Sequence, residues 1–252
     1  MLLEFKATNY KSFKDELIFS MIPAPKQKGL DYSILHEKIG NRTYKGLSSA
    51  IIYGANASGK TNIIGAMDAF KNIVLRGNIR NDEKDSPNAA SVALELIPNN
   101  TCIEPEPVSF SIKFIEQDML VEYAFSMNIG TFLEEYNRKV VKESLKINEK
   151  LLFNREGELE ICSLDLIGDY LVNEFEEYAE GVIAIAKNNL NNEDLFLMNG
   201  FRNMFSSKIA NIVSDWLSNK FMVIYRADSM QLIRKFADPK KKSVYIEKTI
   251  NE

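Results

Sequence analysis

The chain has 252 residues, 45% hydrophobic and 26% charged, with a formal charge of −4 and a pI near 5.4. These values exclude a disordered or fibrous chain and a surface devoted to coating nucleic acid, although a local basic groove stays compatible with them. The two cysteines, Cys102 and Cys162, make no CxxC pair and the one histidine is His36, so no zinc set is expected and both thiols read as reduced, in a cytoplasmic protein.

Glu4 and Lys6 interrupt the apolar start at once, so the N-terminus does not read as a signal peptide. The longest apolar runs, Val182–Ala186 and Phe221–Tyr225, fall far short of the about 20 residues a membrane span needs. Leu3, Phe5 and Ala7 alternate with Glu4, Lys6 and Thr8, which predicts a half-buried strand. Asn9–Phe13 turns the chain, Leu17–Ile22 forms a second strand stopped by Pro23 and Pro25, and a polar loop, including His36, runs to about Ser48. Ser49–Tyr53 is a short apolar strand that leads into Gly54-Ala55-Asn56-Ala57-Ser58-Gly59-Lys60-Thr61.

From Thr61 onward Ile63, Ile64, Met67, Phe70, Lys71 and Val74 recur at helical spacing, all apolar except the lysine. Arg76–Asn88 reads as a loop. Val108–Phe114 and Val121–Met127 alternate around Glu116-Gln117-Asp118 and predict a hairpin. Val140–Ile147, Leu151–Phe153 and Leu159–Ile161 add strands, the last two joined by Asn154–Glu158. Past Ser163 the period becomes helical. Ile209, Ile212, Val213, Trp216 and Leu217 mark a helix face capped by Ser206 or Ser207, with Trp216 in the core. Phe221–Tyr225 reads as a buried strand and Ser229–Phe236 as a last helix. Lys240–Lys242 reads as a solvated turn rather than a nucleic-acid contact.

The segment Gly54–Thr61 fits G-x-x-x-x-G-K-[ST], and each part meets a demand of a triphosphate. Gly54 and Gly59 allow the backbone to approach closely, and successive N–H groups and a helix start hold phosphate oxygens. Lys60 reaches the β- and γ-phosphates, and the Thr61 hydroxyl ligates Mg²⁺. ATP with Mg²⁺ is the expected cofactor pair, and Asn62, directly after the motif, is expected among the nucleotide-binding residues.

Ala55–Thr61 resembles the G-x-N-x-S-G-K-[ST] variant of ABC-type ATPases, and Asn9-Tyr10-Lys11-Ser12-Phe13 resembles the N-F-[RK]-S-F segment of SMC, RecF-type and OLD-type ATPases. Lys142–Ile147 with Leu152–Arg155 is similar to the ABC-like, AAA-grouped ATPases of bacterial abortive-infection and phage-defence operons. The resemblance implies an α/β P-loop NTPase of the ABC-ATPase type, an N-terminal lobe with an antiparallel β subdomain and a helical region. Residues 1–100 would be the nucleotide-binding core with the Walker A loop. Residues 101–162 would be a hairpin subdomain of the same head, and 163–252 a helical region ending before the signature and Walker B motifs.

By the same resemblance Lys11 approaches the phosphates, as a strand-end lysine that is otherwise simply exposed. Gln117 matches a Mg²⁺-touching Q-loop glutamine or, more simply, an exposed turn residue. No S-G-G signature loop is present, and Phe221–Tyr225 is followed by Arg226-Ala227-Asp228 rather than by an acidic pair. The chain therefore looks like the first portion of such an ATPase, whether a piece, a split gene product or a remnant. It would work as a head-to-head homodimer switched by ATP, gating an effector such as a nuclease, with nucleic acid as a further partner and no membrane. Two alternatives are a non-hydrolysing nucleotide-sensing module and a small-molecule P-loop kinase with Arg76, Arg80 and Arg138 as lid residues.

Overall fold

The structure is a computed structural model that describes residues 1–25, 29, 31–80, 96–172 and 175–224. Met1–Met222 forms one compact unit; of a second, Val223–Glu252, only Val223 and Ile224 are described. The helix expected at Ser229–Phe236, the Lys240–Lys242 run and Arg226–Asp228 lie outside the described residues, as does the loop beyond Arg80.

The fold is mixed α/β with a mostly antiparallel sheet. Strand β1 (Leu2–Thr8) pairs on one side with β2 (Leu17–Ser20) and on the other with β5 (Val108–Glu116). The sheet continues through β6 (Met119–Gly130), β7 (Glu135–Ile147), β8 (Lys150–Glu156) and β9 (Glu158–Ile161), every pair antiparallel. Local turn chemistry sets these hairpins. Gln117 and Asp118 sit at φ 49° and 59°, and Asn148 and Glu149 at φ 51° and 69°, the left-handed pairs that close two-residue hairpins. β8 runs on to Glu156 and turns at Gly157 alone, so the Asn154–Glu158 turn is tighter than expected.

Because β1 and β5 are direct neighbours, residues 1–100 and 101–162 share one sheet, and no boundary separates them. One face carries charged and small polar side chains, including the Lys113–Glu122–Lys146 cluster. The opposite face buries Phe5, Phe110, Ile112, Phe114, Tyr123 and Phe125, whereas Leu3 packs with Ile115 and Leu120 at a bulge of β1. Helix α1 (Lys60–Arg76) crosses this face, and Phe70 packs its ring 5.7 Å from Phe5 and 5.5 Å from Phe125. Gly77 ends α1 in the left-handed conformation, its N–H donating to Ile73 and Val74 carbonyls.

Helix α2 spans Phe175–Asn188, and a π-type turn at Leu197–Phe201 leads towards α3, Ser207–Asn219. Ser206 is the N-cap of α3, accepting from the Ile209 N–H, and Trp216 stacks on Phe114 at 4.0 Å. Lys71, the polar member of the α1 stripe, donates its amine to the Phe221 carbonyl at 2.6 Å, and burial lowers its pKa.

Four sequence expectations are corrected. The polar loop before Ser48 contains a hairpin, β3 (Ile34–Ile39) and β4 (Arg42–Leu47), turned at Gly40 with φ 56°. His36 is an exposed strand residue of β3, paired with Lys45. Ser49–Tyr53 forms no strand: Ile51 and Tyr53 are 88% and 91% exposed, because both edges of β1 are already taken by β2 and β5. Residues 221–224 form no strand either. The Phe221 N–H caps the Trp216 carbonyl while its ring stacks on Trp216 at 5.2 Å, which ends α3 rather than starting a strand. Tyr225 lies outside the described residues.

Candidate phosphate-binding loop

Residues 54–61 form an exposed loop that runs into the first turn of α1. Ala57 and Gly59 adopt left-handed φ of 62° and 85°, so the chain reverses twice before the helix begins. Left-handed alanine costs about 1–2 kcal/mol, and such strain is held only where the surroundings demand it. Gly54 lacks the Cβ that would press on Ser58 Oγ at 3.0 Å.

Lys60, the first residue of α1, folds its ammonium back to donate to the Gly54 carbonyl at 2.8 Å and the Ala55 carbonyl at 2.5 Å. A single cation thereby holds both ends of the loop and lies inside it. No side chain caps α1, and its first turn carries no acidic residue. The positive end of the helix dipole and its leading N–H groups therefore face the loop, an arrangement that favours an anion. Thr61, Asn56 and Ser58 are exposed beside it, and Asn62 in the same turn points its amide at Ser12 Oγ, 2.8 Å away.

The Asn9–Phe13 segment lies against this loop. A Cβ on Gly59 would fall 2.5 Å from Ser12 Oγ and 3.2 Å from the Phe13 ring. Lys11 is fixed by its backbone: its N–H donates to the Ile97 carbonyl at 2.8 Å and its carbonyl accepts from Asn99 at 2.7 Å. Its ammonium stands 5.5 Å from the Tyr10 ring centroid, within cation–π range.

Gln117 is not brought to this place. Thr8 pairs with Ser109 at the loop end of the sheet, whereas Gln117 turns the chain beyond Glu116, beside Leu2 and Phe114 at the other end. The intervening length of β5 puts about 25 Å between them. Two of the three lid arginines are also committed elsewhere. Arg80 pairs with Asp194 at 2.9 Å, and buried Arg138 donates to the Ile79 carbonyl at 3.2 Å.

The residues suit a triphosphate: a closed cation, an uncapped helix start and small residues at the close approaches. For Mg²⁺ the protein offers the Thr61 hydroxyl. Among the described residues no group of three His, Cys, Asp or Glu side chains is placed to hold a metal. An open groove of about 680 Å³ between Asn137 and Glu193 does not include this loop. The groove wall is mainly asparagine amide, whereas the loop gathers a cation and an uncapped helix start.

Sequence reading missed the residues behind the loop. Buried Asn9 donates to the Glu106 carbonyl at 2.7 Å and accepts from the Asn99 N–H at 2.9 Å. It also missed a buried polar cluster across the sheet, in which Glu143 accepts from Tyr123, Phe196 and Leu197. No family model matches this chain, and a search of curated proteins finds no match. Among the described residues no helix is long and apolar enough to cross a membrane.

Proposed function

We propose that residues 54–61 bind a nucleoside triphosphate, ATP with Mg²⁺, and that the chain is the nucleotide-binding lobe of an ABC-like P-loop ATPase. One observation carries this reading: the Lys60 ammonium closes the loop from within, directly at the uncapped start of α1. In this reading Lys60 neutralises terminal phosphates, the loop and leading helix N–H groups accept phosphate oxygens, and Thr61 ligates Mg²⁺. The ABC-like assignment adds a head-to-head dimer closed by ATP, gating an effector such as a nuclease in anti-phage defence or DNA repair. Its support is the Asn9–Phe13 segment, which packs on Gly59. The cytoplasm is the proposed compartment, and free Cys102 and Cys162 accord with it.

The test is thermal stability with and without Mg·ATP, beside Lys60→Ala. Ligand at about 100 times its Kd adds roughly 2.7 kcal/mol to the folded state. A melting shift in the parent that disappears in Lys60→Ala supports the reading. No shift in the parent sinks it. The dimer is tested by sedimentation with and without Mg·ATP, where a monomer under both conditions counts against the switch.

A further inference from the structure

We propose that Ser12 is a positioning residue for the phosphate loop, acting through Asn62 and Gly59 to hold residues 54–61 in their binding conformation. The inference rests on the reading that this loop takes a nucleotide, and it assigns a task to a side chain outside the 54–61 motif.

The Asn9–Phe13 turn is rigid on its own account. Asn9 holds φ 52° and Lys11 φ 48°. The Tyr10 N–H donates to the Phe13 carbonyl at 2.8 Å and the Phe13 N–H returns to the Tyr10 carbonyl at 2.9 Å. The Asn9 side chain is fastened to Glu106 and Asn99, and Asn99 in turn to the Lys11 carbonyl. The first two bonds close the turn on itself and the others tie it to Asn99 and Glu106, in the segment that leads into β5; none depends on the phosphate loop. The turn is a fixed point set by the sheet.

The phosphate loop, by contrast, lacks support on its entry side, because Ser49–Tyr53 is exposed and unpaired in the sheet. It also carries left-handed Ala57, a strain that a loop left to itself would relax. Its contact with the fixed point is Ser12. The hydroxyl accepts the Asn62 amide at 2.8 Å and occupies the space in front of Gly59, with the Phe13 ring edge beside it. Glycine at 59 suits the left-handed backbone, and a Cβ there would push the Ser12 hydroxyl away from its place. Ser12 thereby registers the α1 start against the sheet. When a binding-competent conformation is populated only in part, apparent affinity falls by that fraction, so loss of the contact weakens binding without removing a ligand contact.

The test uses Ser12→Ala, Asn62→Ala and the double variant in the full chain. Ser12 is exposed, so the variants are expected to fold, and melting curves establish that they do. Hydrogen exchange on nucleotide-free protein should accelerate across residues 54–61 in both single variants, and the double variant should exchange no faster than the faster single. The calorimetric Kd for Mg·ATP should rise roughly two- to fivefold, the lower part of the range for one hydrogen bond because this one is exposed. Unchanged exchange across 54–61 in both single variants overturns the proposal, as do effects that multiply in the double variant. If the parent binds no Mg·ATP, the nucleotide reading falls by itself, and the exchange measurement still decides the role of Ser12.

Discussion

The Glu143 carboxylate, on the core face of β7, accepts the backbone N–H of Phe196 at 2.6 Å. It also accepts the Leu197 N–H at 2.8 Å and the Tyr123 hydroxyl at 2.9 Å, with Arg155 at 3.8 Å. Arg155 spends its own donors on the Asp194 and Asn191 carbonyls. This cluster fastens the segment before the Leu197–Phe201 turn to the sheet. Burial pushes the Glu143 carboxyl above the usual range, opposed by the N–H groups of Leu197 and Phe196, the Tyr123 hydroxyl and Arg155.

Glu143→Ala leaves two buried N–H groups and a hydroxyl without their acceptor, and should cost about 3–5 kcal/mol in urea unfolding. Glu143→Gln keeps the shape but offers one acceptor oxygen where two serve now, and should cost about 1–3 kcal/mol. A glutamine variant as stable as the parent would contradict the assigned bonds.

Tyr123 is buried, and burial with the Glu143 charge raises its pKa well above 10.0. The unfolded phenol ionises near about 10 while the folded one keeps its proton. The folded state then binds more protons than the unfolded one, so the stabilisation is complete below about pH 10 and is lost as pH rises further. Unfolding free energies of the parent should fall with pH more steeply than those of Tyr123→Phe, by up to about 1.4 kcal/mol per unit. Equal slopes would show that Tyr123 is not held protonated.

Gly59 has φ 85° and its added Cβ would meet Ser12 Oγ, the end of a side chain that can turn away. Backbone strain therefore dominates the cost of Gly59→Ala, about 1–3 kcal/mol without any ligand. Denaturant titration of nucleotide-free protein measures it.

Trp216, the one tryptophan, is 3% exposed between Phe114 and Phe221. Its fluorescence should be blue-shifted in the native protein and move to the red on unfolding. Trp216→Ala should cost about 3–5 kcal/mol, and Trp216→Phe distinctly less, because an aromatic ring remains against Phe114.

Ser206 Oγ accepts the Ile209 N–H at 3.1 Å and donates to the Tyr170 carbonyl at 2.6 Å. Ser206→Ala should cost about 1–2 kcal/mol from the cap alone, with the buried carbonyl adding to it, measured by thermal unfolding.

Local pattern made much of this fold legible. Leu3, Phe5 and Ala7 are buried as their alternation implies, the α1 stripe from Ile63 to Val74 packs on the sheet, and Ser206 caps α3. The Gly40-Asn41 turn of β3–β4 was also available as a hairpin signal but was masked by the polar residues around it. Glu143 carried a readable clue as well, since it alternates in phase with buried Leu145 and Ile147.

By itself, the sequence determined the elements whose cause lies within a few residues: strand alternation, helix stripes, the Ser206 cap, and the glycines and lysine of the 54–61 motif. Only the tertiary structure decided which apolar runs become strands, because a strand exists through its neighbours. β2 and β5 occupy both edges of β1, so Ser49–Tyr53 stays outside the sheet. The same non-local pairing sent Gln117 to the far end of β5 and brought Ser12 to Gly59, across a separation in sequence that no local period encodes.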